Sequence, residues 1–259
     1  MRTIKVIIAI VIVLLVVTGC KKDEESTDVE YTFPLTIGNT WTYLRSYTAY
    51  DVQAGEMVTL FDTCFVWVDA QVTSPTNEQC YRIKYRYSDY DEGVFSYYYL
   101  VNRSEGLFEL GSEGIGATPP IKKYGQYYTG NPFPYAQGTA YQKSVEWLSV
   151  PRLTIPRICN VGVSWNYVGG IDDYYLPHTS IIEAKEVINA PIGSRTCIKK
   201  KVTVTLNNKL TCDYYDYYSA DGNVKFYSEG TSEIIGQYGE YIGEFPWSDK
   251  LELITCDLN

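Results

Sequence analysis

Residues 80–87 read Cys80-Tyr81-Arg82-Ile83-Lys84-Tyr85-Arg86-Tyr87. Tyr81, Ile83, Tyr85 and Tyr87 fall on one side of an extended chain, and Arg82, Lys84 and Arg86 on the other. Side chains alternate faces along a strand, so this is a half-buried antiparallel strand with an aromatic inner face and a cationic outer one. Its neighbours follow the same grammar. Thr40–Tyr50 and Met57–Val72 read as strands before it, the second ending in the turn Ser74-Pro75-Thr76-Asn77. Asp91-Glu92-Gly93 turns the chain into Val94–Asn102, and Leu107–Leu110 is a short strand.

Further along, Val145–Leu153, Val163–Val168, Ser180–Ile188, Thr196–Leu206 and Leu210–Ser219 read as strands, then Val224–Ser228, Ser232–Tyr238 and Leu251–Cys256. Asn207-Asn208 and Asp221-Gly222 suit tight hairpin turns, because Asn and Gly accept a positive φ cheaply. The best helical candidate, Gln142–Leu148, is only two turns long. The expected fold is therefore all-β, with little helix, in one domain over residues 31–259. The 26 tyrosines of the 259 residues fit that class, since Tyr favours a half-buried pleat.

Residues 111–138 break the pattern. They hold six Gly and four Pro among Tyr124, Tyr127, Tyr128, Phe133 and Tyr135, and read as a long loop. Long loops in compact domains are often functional. Tyr127, Tyr128, Phe133 and Tyr135 are the candidate ligand contacts, because aromatic side chains pack on sugars and proteins at low entropy cost.

Residues 38–43, Gly38-Asn39-Thr40-Trp41-Thr42-Tyr43, are echoed by Gly162-Val163-Ser164-Trp165-Asn166-Tyr167. A pair of aromatic ligand platforms is one reading. A repeated structural device, with a Gly turn feeding a strand whose Trp and Tyr share a face, is the favoured one, because Trp is usually buried.

The N-terminus carries a separate message. Arg2 and Lys5 precede the apolar run Val6–Val17, and small or neutral residues lead to Cys20. That order is a secretory signal peptide over residues 1–19. At 1.5 Å per residue the run spans about 18 Å, short of a ~30 Å hydrocarbon core. Val17-Thr18-Gly19-Cys20 resembles the lipobox of bacterial lipoproteins, which implies cleavage before Cys20 and acylation of that residue. Lys22-Asp23-Glu24-Glu25 resembles the acidic tether of Bacteroidota lipoproteins, which implies residues 20–30 as a polar tether and display at the outer membrane, on the cell surface, with the periplasmic face as the alternative.

The same groups imply a fold. Phe33-Pro34-Leu35 with Gly38–Tyr43, then Gly162–Tyr167, Ala190-Pro191-Ile192-Gly193 and Asp221–Lys225 are similar to uncharacterised Bacteroidota lipoproteins. That resemblance implies a strongly curved antiparallel sheet, like the half-barrels of lipoprotein carrier factors, which can hold a lipid.

Composition narrows the partners. Without Arg2 and Lys5 the chain has 20 basic against 31 acidic residues, a net charge of −11. Such a surface repels nucleic acid and anionic headgroups, leaving the lipid anchor as the expected membrane contact and a glycan, protein or lipid as the ligand. Setting Cys20 aside leaves Cys64, Cys80, Cys159, Cys197, Cys212 and Cys256. An exported chain permits disulfides, and Cys64–Cys80, Cys197–Cys212 and Cys159–Cys256 are the suggested pairs. No metal or other cofactor is expected, for there is one His and no Cys-x-x-Cys.

No catalytic motif is visible. His178 is expected in an exposed loop, without a nucleophile partner. Acidic groups at Asp89/Asp91/Glu92, Asp172/Asp173 and Asp213/Asp216 carry no signal beyond chance. Asp89-Tyr90-Asp91 lacks the spacing of a calcium loop. Lys200 shares a face with Ile198 and Val202 and is expected near a sheet rim. The reading is a non-enzymatic, membrane-anchored binding or scaffold module, with an apolar-ligand half-barrel as the alternative.

Overall fold

The computed structural model describes residues 28–52, 54–88, 95–114, 145–167, 170–171, 174–175, 178–206, 210–235 and 241–259. The strands are β1 (Thr40–Asp51), β2 (Glu56–Thr73), β3 (Gln79–Tyr87), β4 (Ser96–Arg103), β5 (Gly106–Gly114) and β6 (Glu146–Pro156). They continue with β7 (Ser164–Tyr167), the two-residue β8 (Gly170–Ile171) and β9 (Tyr174–Tyr175), then β10 (His178–Ala190), β11 (Gly193–Leu206), β12 (Leu210–Ser219), β13 (Gly222–Ile235) and β14 (Tyr241–Asp257).

Twelve of these form one antiparallel sheet in the order β6-β5-β4-β3-β2-β1-β14-β13-β12-β11-β10-β7. It curls until it is nearly a barrel, with one seam between β6 and β7. The expected curvature is present and goes further than a half-barrel. Closure hides sheet edges that would otherwise be open to pairing. Across the seam, Trp165 Nε1 donates to Leu153 O at 2.9 Å, and Tyr167 OH donates to Val150 O at 3.4 Å. Lys200 Nζ reaches Thr154 O at 3.2 Å.

The order is two six-stranded meanders, β1–β6 and β7 with β10–β14, joined through the β1–β14 pair. The Gly-x-[Thr/Ser]-Trp-x-Tyr echo opens each of them. Gly38 and Gly162 take φ of +95° and +92°, a left-handed conformation that side chains resist. Gly38 N–H donates to Val68 O and Val68 N–H to Asn39 O; Gly162 N–H donates to Ile182 O and Ile182 N–H to Val163 O. Just beyond, Asp69 and Glu183 each form a β-bulge. Each bulged acid binds a cation on the next strand, Asp69 with Arg82 at 2.8 Å and Glu183 with Lys199 at 2.6 Å. Trp41 Nε1 donates to Asp221 O, as Trp165 does to Leu153 O. The echo is thus a structural device that fastens the start of each meander, as the favoured reading had it.

The core lies inside the curled sheet. β3 behaves as its alternation requires: Ile83, Tyr85 and Tyr87 are buried and Arg82, Lys84 and Arg86 are not. Trp41, Tyr43, Val66, Tyr98, Leu100, Ile182, Val202, Leu251 and Leu253 join them. The segment before β1 also enters this core. Tyr31, Phe33 and Leu35 point inward and Thr32 outward, Tyr31 N–H bonds Arg157 O, and Phe33 packs on Trp41 with ring centroids 5.6 Å apart. It closes one end of the barrel.

Several sequence expectations shift. Gly111–Gly114 belongs to β5 rather than to a loop, and Glu146–Leu148 is strand rather than helix. Val224–Ser228 and Ser232–Ile235 are parts of one strand, β13, and β14 starts ten residues before Leu251. Gly243 and Pro246 hide that start from a propensity reading; Pro246, which cannot donate, sits opposite Thr231. The second hairpin turn is centred on Ala220-Asp221, because Ser219 pairs with Gly222.

Candidate functional site

Cys20, Tyr127, Tyr128, Phe133, Tyr135, Asn207-Asn208 and the acidic groups at 89–92 and 172–173 lie outside the described residues. The remaining candidates are redistributed by the sheet register.

The two hairpin disulfides do not fit. Cys64 pairs with Tyr87 and Cys80 with Val72, so the two cysteines sit seven residues apart along the ladder, about 23 Å at 3.3 Å per residue. Cys212 pairs with Val204, again seven residues from Cys197. A disulfide needs Cα atoms within about 7 Å. Cys64, Cys80, Cys159, Cys197 and Cys256 are free thiols, which overturns Cys159–Cys256 as well. Burial pushes the Cys80 thiol up to about 11 and those of Cys159 and Cys197 up to about 12. They behave as small apolar core residues.

Lys200 is the largest surprise. It is 2 % exposed in the middle of β11, not at a rim. The register sets it opposite Asp216 of β12, which is fully buried, and the ammonium lies 2.7 Å from the carboxylate. Asn223 Nδ2 donates to Asp216 Oδ1 at 3.1 Å, and Tyr218 OH lies 3.4 Å from Lys200 Nζ. Burial lowers the lysine and raises the aspartate, each pushed toward its neutral form, while the mutual attraction opposes both shifts. The clue in the sequence was the inward phase of Lys200 together with Asp216, itself inward between Tyr214 and Tyr218.

Two further pairs share the interior. Arg45 grips Asp249 through Nε and Nη2 at 3.0 and 2.8 Å, and its guanidinium stacks 4.9 Å from the Tyr87 ring. Arg152 pairs with Glu109, whose carboxyl is pushed up by burial. His178 is buried at the start of β10, 5.1 Å from the Tyr167 ring, and not in an exposed loop. The phenols of Tyr31, Tyr43, Tyr87, Tyr98 and Tyr218 are held well above their ordinary range by burial. These groups neutralise and orient one another.

The outer face of β2–β4 is different. Phe65 and Trp67 stack along β2 with centroids 6.1 Å apart and planes 20° apart, and Phe95 meets Trp67 edge-on at 6.2 Å. Lys84 Nζ sits 3.5 Å above the Phe95 ring and 5.9 Å from Trp67. The Arg86 guanidinium lies 5.7 Å from Phe65 and 5.8 Å from Phe95. All five side chains are half-buried. Among the described residues neither Lys84 nor Arg86 takes part in an ion pair, and Arg86 Nε has no hydrogen-bond partner. The alternation of residues 80–87 located these cations. The aromatic side chains beside them were not singled out, because Phe65, Trp67 and Phe95 are brought together only by strand pairing.

No protein-family model and no curated protein matches the chain. Among solved structures it is similar to a protein classed as exported, with a YmcC-like fold, from Bacteroides fragilis. The identity is 11 %, the match covers 88 % of this chain and 99 % of that one, and the TM-score is 0.34, too distant to bear on function.

Proposed function

We propose that this chain is an exported, lipid-anchored, non-enzymatic binding module whose barrel is a rigid scaffold and whose working face is the outer surface of β2–β4. The observation that carries the reading is the cation–aromatic cluster of Phe65, Trp67, Lys84, Arg86 and Phe95, whose two cations have no carboxylate partner among the described residues of a chain of net charge −9. Signal peptide, Cys20 and acidic tether support export and anchoring at the outer membrane. A solid interior supports binding on the outside rather than within: the centre of the barrel is filled by Trp41, Tyr43, Tyr87, Tyr98 and Phe33, with three ion pairs among them. The same pairs support the non-enzymatic reading, since among the described residues Arg45, Lys200 and Arg152 are each committed to an interior carboxylate.

The test is a screen of the detergent-solubilised full-length protein against an array of neutral and acidic glycans, repeated with Trp67→Ala and Phe95→Ala. The reading expects at least one ligand whose binding both substitutions weaken. An array on which neither substitution changes any signal would reject the outer face as the working surface.

A further inference from the structure

The two meanders allow the outer face of β2–β4 to be compared with its own counterpart. The fixed points are the bulges at Asp69 and Glu183 and the pairs they form with Arg82 and Lys199. From there the registers run in step. Trp67 lies opposite Lys84 and Lys84 opposite Tyr97; Ile181 lies opposite Lys201 and Lys201 opposite Tyr215. Phe65 lies opposite Arg86, and Thr179 opposite Thr203. Tyr85 pairs with Ser96 and Val202 with Tyr214, so the preceding residues, Phe95 and Asp213, hold equivalent places.

The conserved geometry makes the differences informative. In the second meander Lys201 is neutralised by Asp213 at 2.9 Å, and Thr203 donates to the same carboxylate at 2.6 Å. That surface is a closed polar network over an aliphatic Ile181. In the first meander the acid is replaced by Phe95, the threonine by Arg86, the isoleucine by Trp67 and Thr179 by Phe65. One negative charge is removed, one positive charge is added and three aromatic rings appear, all at one spot. Folding does not require this change, because the same scaffold stands without it in the other half.

From this comparison we infer that the first meander's outer face binds an acidic glycan, a polysaccharide bearing uronate or comparable carboxylate groups; the inference rests on the reading of that face as the working surface. The half-buried rings of Phe65 and Trp67, near-parallel along β2 and abutted by Phe95, offer CH-rich sugar faces a preformed surface at little cost in side-chain entropy. Lys84 and Arg86 flank the rings and supply the charge-assisted donors that a carboxylate needs. Among the described residues Lys84 and Arg86 have no carboxylate partner, and two cations beside two rings match the carboxylates of a short stretch of uronate sugars. The phosphate contacts that give nucleic acid its affinity need many more cations than these two.

The experiment is calorimetric titration of the detergent-solubilised full-length protein with hexagalacturonate and with its fully methyl-esterified form, which keeps the sugar faces and loses the charge. The acid binds and the ester binds at least tenfold more weakly. The double variant Lys84→Gln/Arg86→Gln, whose side chains stand outside the core and leave the thermal midpoint in place, loses roughly tenfold or more in affinity for the acid. It also loses the weakening that wild type shows in ~1 M salt, where the Debye length falls to about 3 Å. Trp67→Ala weakens both ligands. Equal binding of acid and ester, no binding of the acid, or unchanged acid binding by the double variant would each overturn the inference. If a neutral glycan instead binds in a Trp67-dependent manner, the outer face remains the working surface and only the charge specificity falls.

Discussion

Asp216→Asn removes the counter-ion of Lys200 while keeping shape. The ammonium then stays 2 % exposed with Thr154 O at 3.2 Å and Tyr218 OH at 3.4 Å, neither of which carries a charge to offset it. Breaking a buried pair in this way costs about 3–5 kcal/mol. For a domain of this size each kcal/mol lowers Tm by about 2–4 °C, so the drop should be about 6–20 °C in a thermal melt followed by circular dichroism. Lys200→Met should cost a similar amount, and Lys200→Met combined with Asp216→Leu far less than the sum, because hydrophobic replacement of a buried pair is often neutral. The two single variants should also respond to pH with opposite signs. In Asp216→Asn the lysine, already lowered by burial, is more readily deprotonated folded than unfolded, so the unfolded chain binds more protons and stability rises with pH. In Lys200→Met the aspartate, raised by burial, holds its proton better when folded, so stability rises as pH falls toward the ordinary carboxylate range. Single-variant costs below about 1 kcal/mol, or a double variant as costly as both singles together, would refute the placement of this pair in the core.

Three other outcomes follow from the same geometry. Trp165→Phe deletes the donor to Leu153 O and should cost about 1–3 kcal/mol; hydrogen exchange should quicken in β6 and β7 and stay unchanged in β1 and β14. Gly162→Ala meets no atom within 4 Å, so its cost is the strain of φ +92° alone, about 1–3 kcal/mol by chemical denaturation. Gly38→Ala, at φ +95° with only the Asn259 side-chain amide nearby, should cost about the same if both halves use one device. Iodoacetamide at neutral pH should leave Cys64, Cys80, Cys159 and Cys197 unmodified in the folded protein and label them in denaturant without reductant; a Cys64–Cys80 or Cys197–Cys212 peptide would contradict the register.

The fold was largely legible because its strands are amphipathic. Residues 80–87 announce an inner and an outer face, and the structure keeps both assignments. Strand endings were harder to read where residues of poor β-propensity occupy β14, as Gly243 and Pro246 do, since pairing with β13 overrides local preference. The site was less legible. Lys200 looked like a rim residue because its compensation by Asp216 is a cross-strand fact, invisible in either strand alone. The disulfide pairs failed for the converse reason: proximity in sequence across a hairpin says nothing about level along it, and Cys64 and Cys80 stand at opposite ends of one ladder. The outer cluster needs Phe65, Trp67 and Phe95 from separate segments, and its specificity shows only against Thr179, Ile181 and Asp213 in the other meander.

Side-chain footprinting of the full-length protein by hydroxyl radicals, with and without hexagalacturonate, tests most directly whether that outer face binds. Protection should concentrate at Phe65, Trp67 and Phe95, with Ile181 and Tyr215 unchanged. Protection absent from Phe65, Trp67 and Phe95, or spread equally over both meanders, would contradict the account.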